Sequence, residues 1–311
     1  MKVKTLIIAL VSIPLLNFAI GRKHNTIHPS KQTLEAAQSA GKPILVISGP
    51  DAGMTAGILG NRHTSRFLNT HFVIEQQLNT GEQGMYLVYN EQGELVHRVA
   101  HEAYPYELAV KIKRALDPET QYYPALARFE SGDRSVNLLK DLIRDASDAG
   151  DHENVSRFIQ AYLETGVAPV EEGTIRLLAK HTSASSDPGF TVLMANMAAA
   201  DSVLGTGKTA EKLATIIFRE AFVPHLTEKN VNLDQLTEEV KSTYPGSGLS
   251  HLIDGMPIQF LEMCEDWAGL EAALPAYLSA HSDLLTESQL NYYVWLGKEC
   301  LKNNERIASN N

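Results

Sequence analysis

An unbroken apolar run at residues 44–47 (ILVI) constrains the fold of this chain more than any other feature. A short apolar run bounded by turn residues is typical of a strand that is buried on both faces of a sheet. Residues 48–51 (SGPD) end the run, and apolar residues at helical spacing follow up to about Asn69. The stretch 41–68 therefore predicts a strand, a sharp loop and a helix whose N-terminus points at the loop.

Similar patterns place further elements around this unit. Gly41 follows a good helix-forming segment and is expected to end it, because glycine is favoured just past a helix C-terminus. Gly93 is expected in a hairpin turn that needs a positive φ. The elements predicted here are helix 31–40, strands 71–78, 85–90 and 94–100, and helix 106–116.

Three of these segments carry a resemblance to a known family. The strand 42–47 (KPILVI), the hairpin 91–98 (EQGELVHR) and the helix 106–116 (YELAVKIKRAL) resemble the thioredoxin-like fold. The resemblance is to the exported thioredoxin-family proteins of Bacteroidetes-type bacteria, and it covers roughly residues 30–118. It implies a thioredoxin-like α/β domain at 22–118, with a central mixed sheet flanked by helices.

The family's reactive motif is absent from this chain. Alignment on the strand places residues 53–56 (GMTA) where the family has Cys-x-x-Cys, and the family's cis-proline falls near Gly84 or Met85. Family members attack a disulfide with a thiolate of lowered pKa and resolve the product with a second thiol. Without sulfur at these positions that reaction has no nucleophile.

The resemblance also implies a groove in which family members hold extended chains through backbone hydrogen bonds. A chain without thiols is expected to bind a peptide or protein partner there. Two residues have simpler alternatives, Asp51 as a turn-stabilising residue and Thr55 as a helix N-cap. The candidate binding residues are Asp51, Gly53, Met54, Thr55, Ala56, Gly84, Met85 and Tyr86.

From about residue 119 the pattern becomes helical throughout. We expect an all-α domain over 119–311, as a bundle or a short α-solenoid that offers a partner surface or serves as a scaffold. The predicted helices are 122–130, 136–146, 155–163, 172–181, 189–204, 208–223, 232–241, 257–280 and 286–303.

The chain begins with the three parts of a secretory signal over residues 1–21. Two lysines precede an apolar run, and a small-x-small site follows at 19–21. We expect cleavage and a periplasmic or secreted protein of a Gram-negative bacterium without stable membrane insertion, the alternative being an uncleaved anchor. The formal net charge of −10 argues against nucleic acid as a partner, because phosphate binding depends on Lys and Arg.

The two cysteines, Cys264 and Cys300, allow a disulfide in an oxidising compartment. The alternative is that both are separate buried residues, because each follows apolar residues at helical spacing. We expect no cofactor and no metal site. Residues 204–209 (LGTGKT) lack the first glycine of a phosphate loop, and His97 and His101 have no partner at ligand spacing.

The function predicted from these patterns is a non-catalytic, exported peptide- or protein-binding module. A first alternative is a thiol-disulfide oxidoreductase-type enzyme that uses Cys264 or Cys300, one of which would then be exposed with a lowered pKa. A second alternative is a purely structural subunit that oligomerises through an apolar helical face.

Overall fold

The computed structural model describes residues 27–49, 52–78, 84–100, 104–228, 230–245 and 248–310. At residues 52–55, 78 and 307–310 it describes the backbone only. The predicted signal segment 1–21 lies outside the described residues, as does Asp51.

A small mixed sheet forms the first part of the protein. Its strands are β1 (Ile44–Gly49), β2 (Val73–Leu78), β3 (Met85–Tyr89) and β4 (Leu95–Ala100), in the order β2-β1-β3-β4. β1 is parallel to β2, whereas β3 is antiparallel to both β1 and β4. Gly93 turns the β3–β4 hairpin with a φ of +85°, as predicted.

Helices cover both faces of this sheet: α1 (Lys31–Ala40), α2 (Ala52–Gly60), α3 (Arg62–His71) and α4 (Pro105–Lys113). Ile44 and Val46 pack with Ala37 of α1 on one face, and Leu45 packs with Leu68 of α3 on the other. All six residues of β1 are buried, so the prediction of a strand buried on both faces is confirmed.

The prediction of a single helix after the loop is wrong, because the chain forms two helices, α2 and α3, with a break at Asn61. The Asn61 side chain accepts a hydrogen bond of 3.0 Å from Thr64 N and so caps the start of α3. Asparagine after Gly60 is a strong helix-start signal, which the apolar spacing concealed.

The remainder of the described chain is helical. One large apolar cluster extends from Tyr122 to Phe260, and a smaller one joins Ile258 to Cys300. The helices are α5 (Tyr122–Glu130), α6 (Val136–Asp148), α7 (His152–Glu164), α8 (Glu172–His181), α9 (Pro188–Ala195), α10 (Met197–Leu204), α11 (Lys208–Ala221), α12 (Leu233–Thr243), α13 (Ser250–Asp254), α14 (Met256–Met263), α15 (Trp267–His281) and α16 (Glu287–Asn310).

Two predicted helices of this part are each two helices in the structure. The segment 189–204 divides into α9 and α10 at Asn196, and 257–280 divides into α14 and α15. At the second break Glu265 has a φ of +53°, and the Asp266 carboxylate caps α15 by accepting from Gly269 N at 2.9 Å. α13 was not predicted.

None of the described helices combines the length and apolarity that crossing a membrane requires.

Candidate functional site

Two glycines meet at the end of the sheet where the sequence places the groove. Gly49 ends β1 and Gly84 precedes β3, and because the two strands are antiparallel both glycines lie at the same end. A Cβ atom on Gly49 would lie only 3.2 Å from Gly84 Cα. A side chain at Gly49 would therefore be tight against the backbone of Gly84. The helix α2 starts three residues after Gly49.

The predicted binding residues of the motif lie in α2. Gly53, Met54 and Thr55 belong to its first turn by their backbone, and the side chain of Ala56 is exposed. Because α2 begins at Ala52, Thr55 lies inside the helix, and its interpretation as the N-cap is wrong.

The structure separates the three candidates at the start of β3. Gly84 is half-buried at the sheet end, and Met85 is half-buried between Ser48 of β1 and Ala100 of β4. Tyr86 is only 2% exposed and packs in the core beside β1. This burial argues against a place on a binding surface: helices cover both faces of the sheet, and residues 86–89 of β3 are all buried.

The described residues at this end of the sheet offer main-chain groups rather than reactive side chains. Residues 52–60 (AGMTAGILG) and 84–86 (GMY) contain no thiol, histidine, lysine or carboxylate. From these residues the available chemistry is hydrogen bonding by the backbone and apolar contact, which suits an extended chain. Asp51, Glu82, His101 and Glu102, which are close to them in sequence or follow β4, lie outside the described residues.

The two cysteines are free thiols in the structure, so the disulfide that the sequence allows is not formed. Cys264 follows the last residue of α14 and is exposed, so the alternative that both cysteines are buried is wrong for this residue. Its sulfur lies 4.0 Å from Leu226 O. Cys300 is buried in α16, as the alternative predicted for that residue.

Cys264 has the exposure that the oxidoreductase alternative requires, but neither thiol has a lowered pKa. Desolvation and the nearby Asp266 carboxylate raise the pKa of the Cys264 thiol. Burial, with a contribution from Glu271, raises the pKa of Cys300. A raised pKa lowers the thiolate fraction at neutral pH, which opposes nucleophilic chemistry at both sites.

A polar network that the sequence analysis missed joins β4 to the helical part. Arg98 Nη2 lies 2.6 Å from Asp151 Oδ2, which also accepts from the Tyr122 hydroxyl at 3.1 Å and from Asn154 Nδ2 at 2.9 Å. Desolvation and the Asp151 charge raise the pKa of Tyr122. Because Asp151 accepts from Arg98, Tyr122 and Asn154, the network ties β4 to α5 and α7, although Arg98 Nε is buried without a hydrogen-bond partner. Only the contact pattern of the fold reveals it, since Arg98 and Tyr122 lie 53 and 29 positions from Asp151 along the chain.

A second buried pair lies next to this network. Arg114 forms a two-point contact with Asp145, Nε to Oδ1 at 2.8 Å and Nη2 to Oδ2 at 3.1 Å. The side chain of Asp145 is 1% exposed, and burial raises its pKa although Arg114 and Arg144 oppose that shift. A forked guanidinium contact of this kind fixes orientation as well as charge.

A cleft of about 260 Å³ lies between α11, α14, α15 and α16. Its polar lining consists of Glu211, Thr215, Gln259, Gln289 and the phenols of two buried tyrosines. Glu211 is already paired with Lys208 at 2.7 Å. In the part of the chain that the structure describes, no group of three or more His, Cys, Asp or Glu side chains is arranged to hold a metal.

Comparison with known proteins yields no relative. No family model, no curated protein and no solved structure matches this chain.

Proposed function

We propose that this protein is an exported, thioredoxin-like protein that binds an extended segment of a peptide or protein partner and performs no thiol chemistry. A mixed sheet between helices, in the predicted order of elements, supports the thioredoxin-like part of the proposal. The absence of sulfur from residues 53–56 and the raised pKa of both thiols support the non-catalytic part.

The approach of Gly49 to Gly84 is the observation that carries the binding proposal. A Cβ atom on Gly49 would lie 3.2 Å from Gly84 Cα, and neither glycine places a side chain at this end of β1 and β3. An extended chain that reaches this end would meet no Cβ atom on either glycine, and an extended chain gains affinity from backbone hydrogen bonds. The acidic net charge of −10 favours partner segments that carry lysine or arginine.

Site-directed photo-crosslinking tests the proposal. A photoreactive residue at Ala56, which is exposed beside the sheet end, should crosslink to a labelled peptide of alternating apolar and basic residues. The matched control is the same substitution at Ala276, an exposed alanine on α15. Equal labelling at both positions, or none at Ala56 with peptide in large excess, would overturn the proposal.

A structural subunit is the second candidate, and the surface of α16 favours it. Val294, Trp295 and Leu301 are each at least half exposed on this helix. Large apolar side chains in such positions are typical of a buried contact with another chain. Replacing Trp295 with Gln should then reduce the assembled mass measured by light scattering.

A further inference from the structure

The cleft between α11, α14, α15 and α16 lies where the two apolar clusters of the helical part meet. On its wall, Ala214 and Met256 belong to the large cluster, whereas Tyr277 and Tyr293 belong to the smaller one. Small-molecule sites are favoured at such junctions, where two packed units leave a concave surface between helices. The volume of about 260 Å³ is below that of sites for drug-sized molecules, so the cleft suits a small ligand.

The buried lining residues make the floor of the cleft apolar and aromatic. Met256 is buried, and the rings of Tyr277 and Tyr293 pack edge to face with their centroids 5.3 Å apart. The Tyr277 hydroxyl donates to His251 O at 3.4 Å and lies so close to Gly255 that a Cβ atom there would be 2.9 Å from it. Both rings are therefore fixed by the protein and offer a rigid surface to a ligand.

Three polar side chains of the cleft have hydrogen-bonding groups to spare. Gln259 is exposed, and its amide has no hydrogen-bond partner in the part of the chain that the structure describes. Gln289 Oε1 accepts from Thr286 N at 2.8 Å and from Thr286 Oγ1 at 2.9 Å, a capping contact that leaves both N–H groups of Nε2 without a described partner. Glu211 Oε2 accepts from Lys208 at 2.7 Å, while Oε1 accepts from no described residue.

The charge of the lining selects an uncharged ligand. Among the described lining residues there is one carboxylate, Glu211, and no lysine, arginine or histidine. An anion would meet the Glu211 charge with no cation to offset it, and a cation would have to displace Lys208 from that carboxylate. The free groups include both donors and acceptors of hydrogen bonds. Because a hydroxyl donates and accepts, a neutral molecule with several hydroxyls satisfies all of them.

We propose that this cleft binds a neutral monosaccharide. The sugar hydroxyls bind the Gln259 amide, Gln289 Nε2 and Glu211 Oε1, and the C–H face of the sugar ring lies against Met256 and the two tyrosine rings. A sugar ring is polar at its edge and apolar on its faces, which matches a cleft with amides and a carboxylate above an aromatic floor. The site belongs to the helical part and is separate from the proposed peptide site at the sheet end.

Isothermal titration calorimetry with D-glucose, D-galactose, D-mannose and N-acetyl-D-glucosamine tests the proposal. We expect at least one of these sugars to bind the protein with a millimolar dissociation constant. Gln259→Leu keeps the size of the side chain but removes its amide, and should raise that constant about tenfold. Gln38→Leu makes the same change at an exposed position of α1 and should leave it unchanged. Absence of binding by all four sugars, or equal dissociation constants in Gln259→Leu and the wild type, would overturn the proposal.

A change of charge provides an independent measurement. D-glucuronate, which carries a carboxylate, should bind the wild type about tenfold more weakly than the best neutral sugar, and Glu211→Gln should remove most of that difference. Glu172→Gln removes a carboxylate on α8, outside the cleft, and should leave the difference unchanged. Tighter binding of D-glucuronate or D-glucosamine than of every neutral sugar to the wild type would contradict the proposal. Since peptide binding at Ala56 is measured separately, failure here leaves the proposed function intact.

Discussion

The main-chain N–H of Tyr122 donates a hydrogen bond of 3.1 Å to Nδ1 of His97. The bond ties the first turn of α5 to the first half of β4, and His97 is 1% exposed. A ring nitrogen that accepts from an amide carries no proton, so this contact requires a neutral imidazole.

Stability should therefore fall with mild acid. Burial, with Arg114 and Arg144 nearby, lowers the pKa of His97 from 6.5 to about 4. The unfolded chain takes up a proton at higher pH than the folded chain does. The free energy of unfolding should be at its full value above pH 6.5 and fall as pH drops towards 4, by on the order of 3 kcal/mol for this residue. Urea unfolding at a series of pH values measures the slope.

Two variants assign that pH dependence. His97→Asn retains an acceptor and should reduce the slope, whereas His63→Asn changes an exposed histidine and should not. Part of the slope should remain, because burial and Lys180 also lower the pKa of His181 to about 4. An unchanged slope in His97→Asn would show that His97 is not responsible.

Breaking the Arg114–Asp145 pair should be costly. Arg114→Met leaves the Asp145 carboxylate buried, with only Arg144 Nε at 3.3 Å to compensate. We expect a loss of about 3 kcal/mol in the free energy of unfolding. Arg176→Met breaks a pair of similar length, 2.8 Å to Glu172, whose partners are both more than half exposed, and should cost less than about 1 kcal/mol. Similar losses in the two variants would contradict the role of burial.

The glycines at the sheet end give a third prediction. Gly49→Ala places a Cβ atom 3.2 Å from Gly84 Cα, so β1 and β3 must separate, at a cost of about 1–3 kcal/mol. Gly57→Ala in α2 meets nothing within 4 Å and should be neutral or stabilising by up to about 1 kcal/mol. Thermal unfolding measures both. Peptide binding should weaken in Gly49→Ala alone, and equal affinity in both variants would argue against a site at the sheet end.

The sequence predicted the sheet well because its signals are local. The apolar run 44–47 and the turn at Gly93 each depend on neighbouring residues, and both are confirmed. Helix breaks at Asn61 and Glu265 were missed, because apolar spacing continues across them and only the cap residues mark the ends.

The candidate site was less predictable than the fold. Tyr86 follows the two residues at the sheet end, but it is buried because helices cover both faces of the sheet at this strand. The pairs His97–Tyr122 and Arg114–Asp145 join residues 25 and 31 positions apart, so no local pattern could reveal them. Contacts of this range depend on how β4 packs against α5 and α6, which is a property of the whole fold.

The two cysteines should differ in reactivity. Cys264 is exposed after the end of α14 and Cys300 is buried in α16, so a thiol reagent should label one group in the native protein and two after unfolding. The labelling of Cys264 should be slower than that of a free thiol in solution, since desolvation and Asp266 raise its pKa. Reductant should change neither count, because the structure contains no bond between the two sulfurs. Cys264→Ser should abolish native labelling. Neither the wild type nor this variant should reduce insulin faster than the uncatalysed background. Rapid native labelling of Cys300, or measurable reductase turnover that Cys264→Ser removes, would instead favour the oxidoreductase alternative over a binding protein.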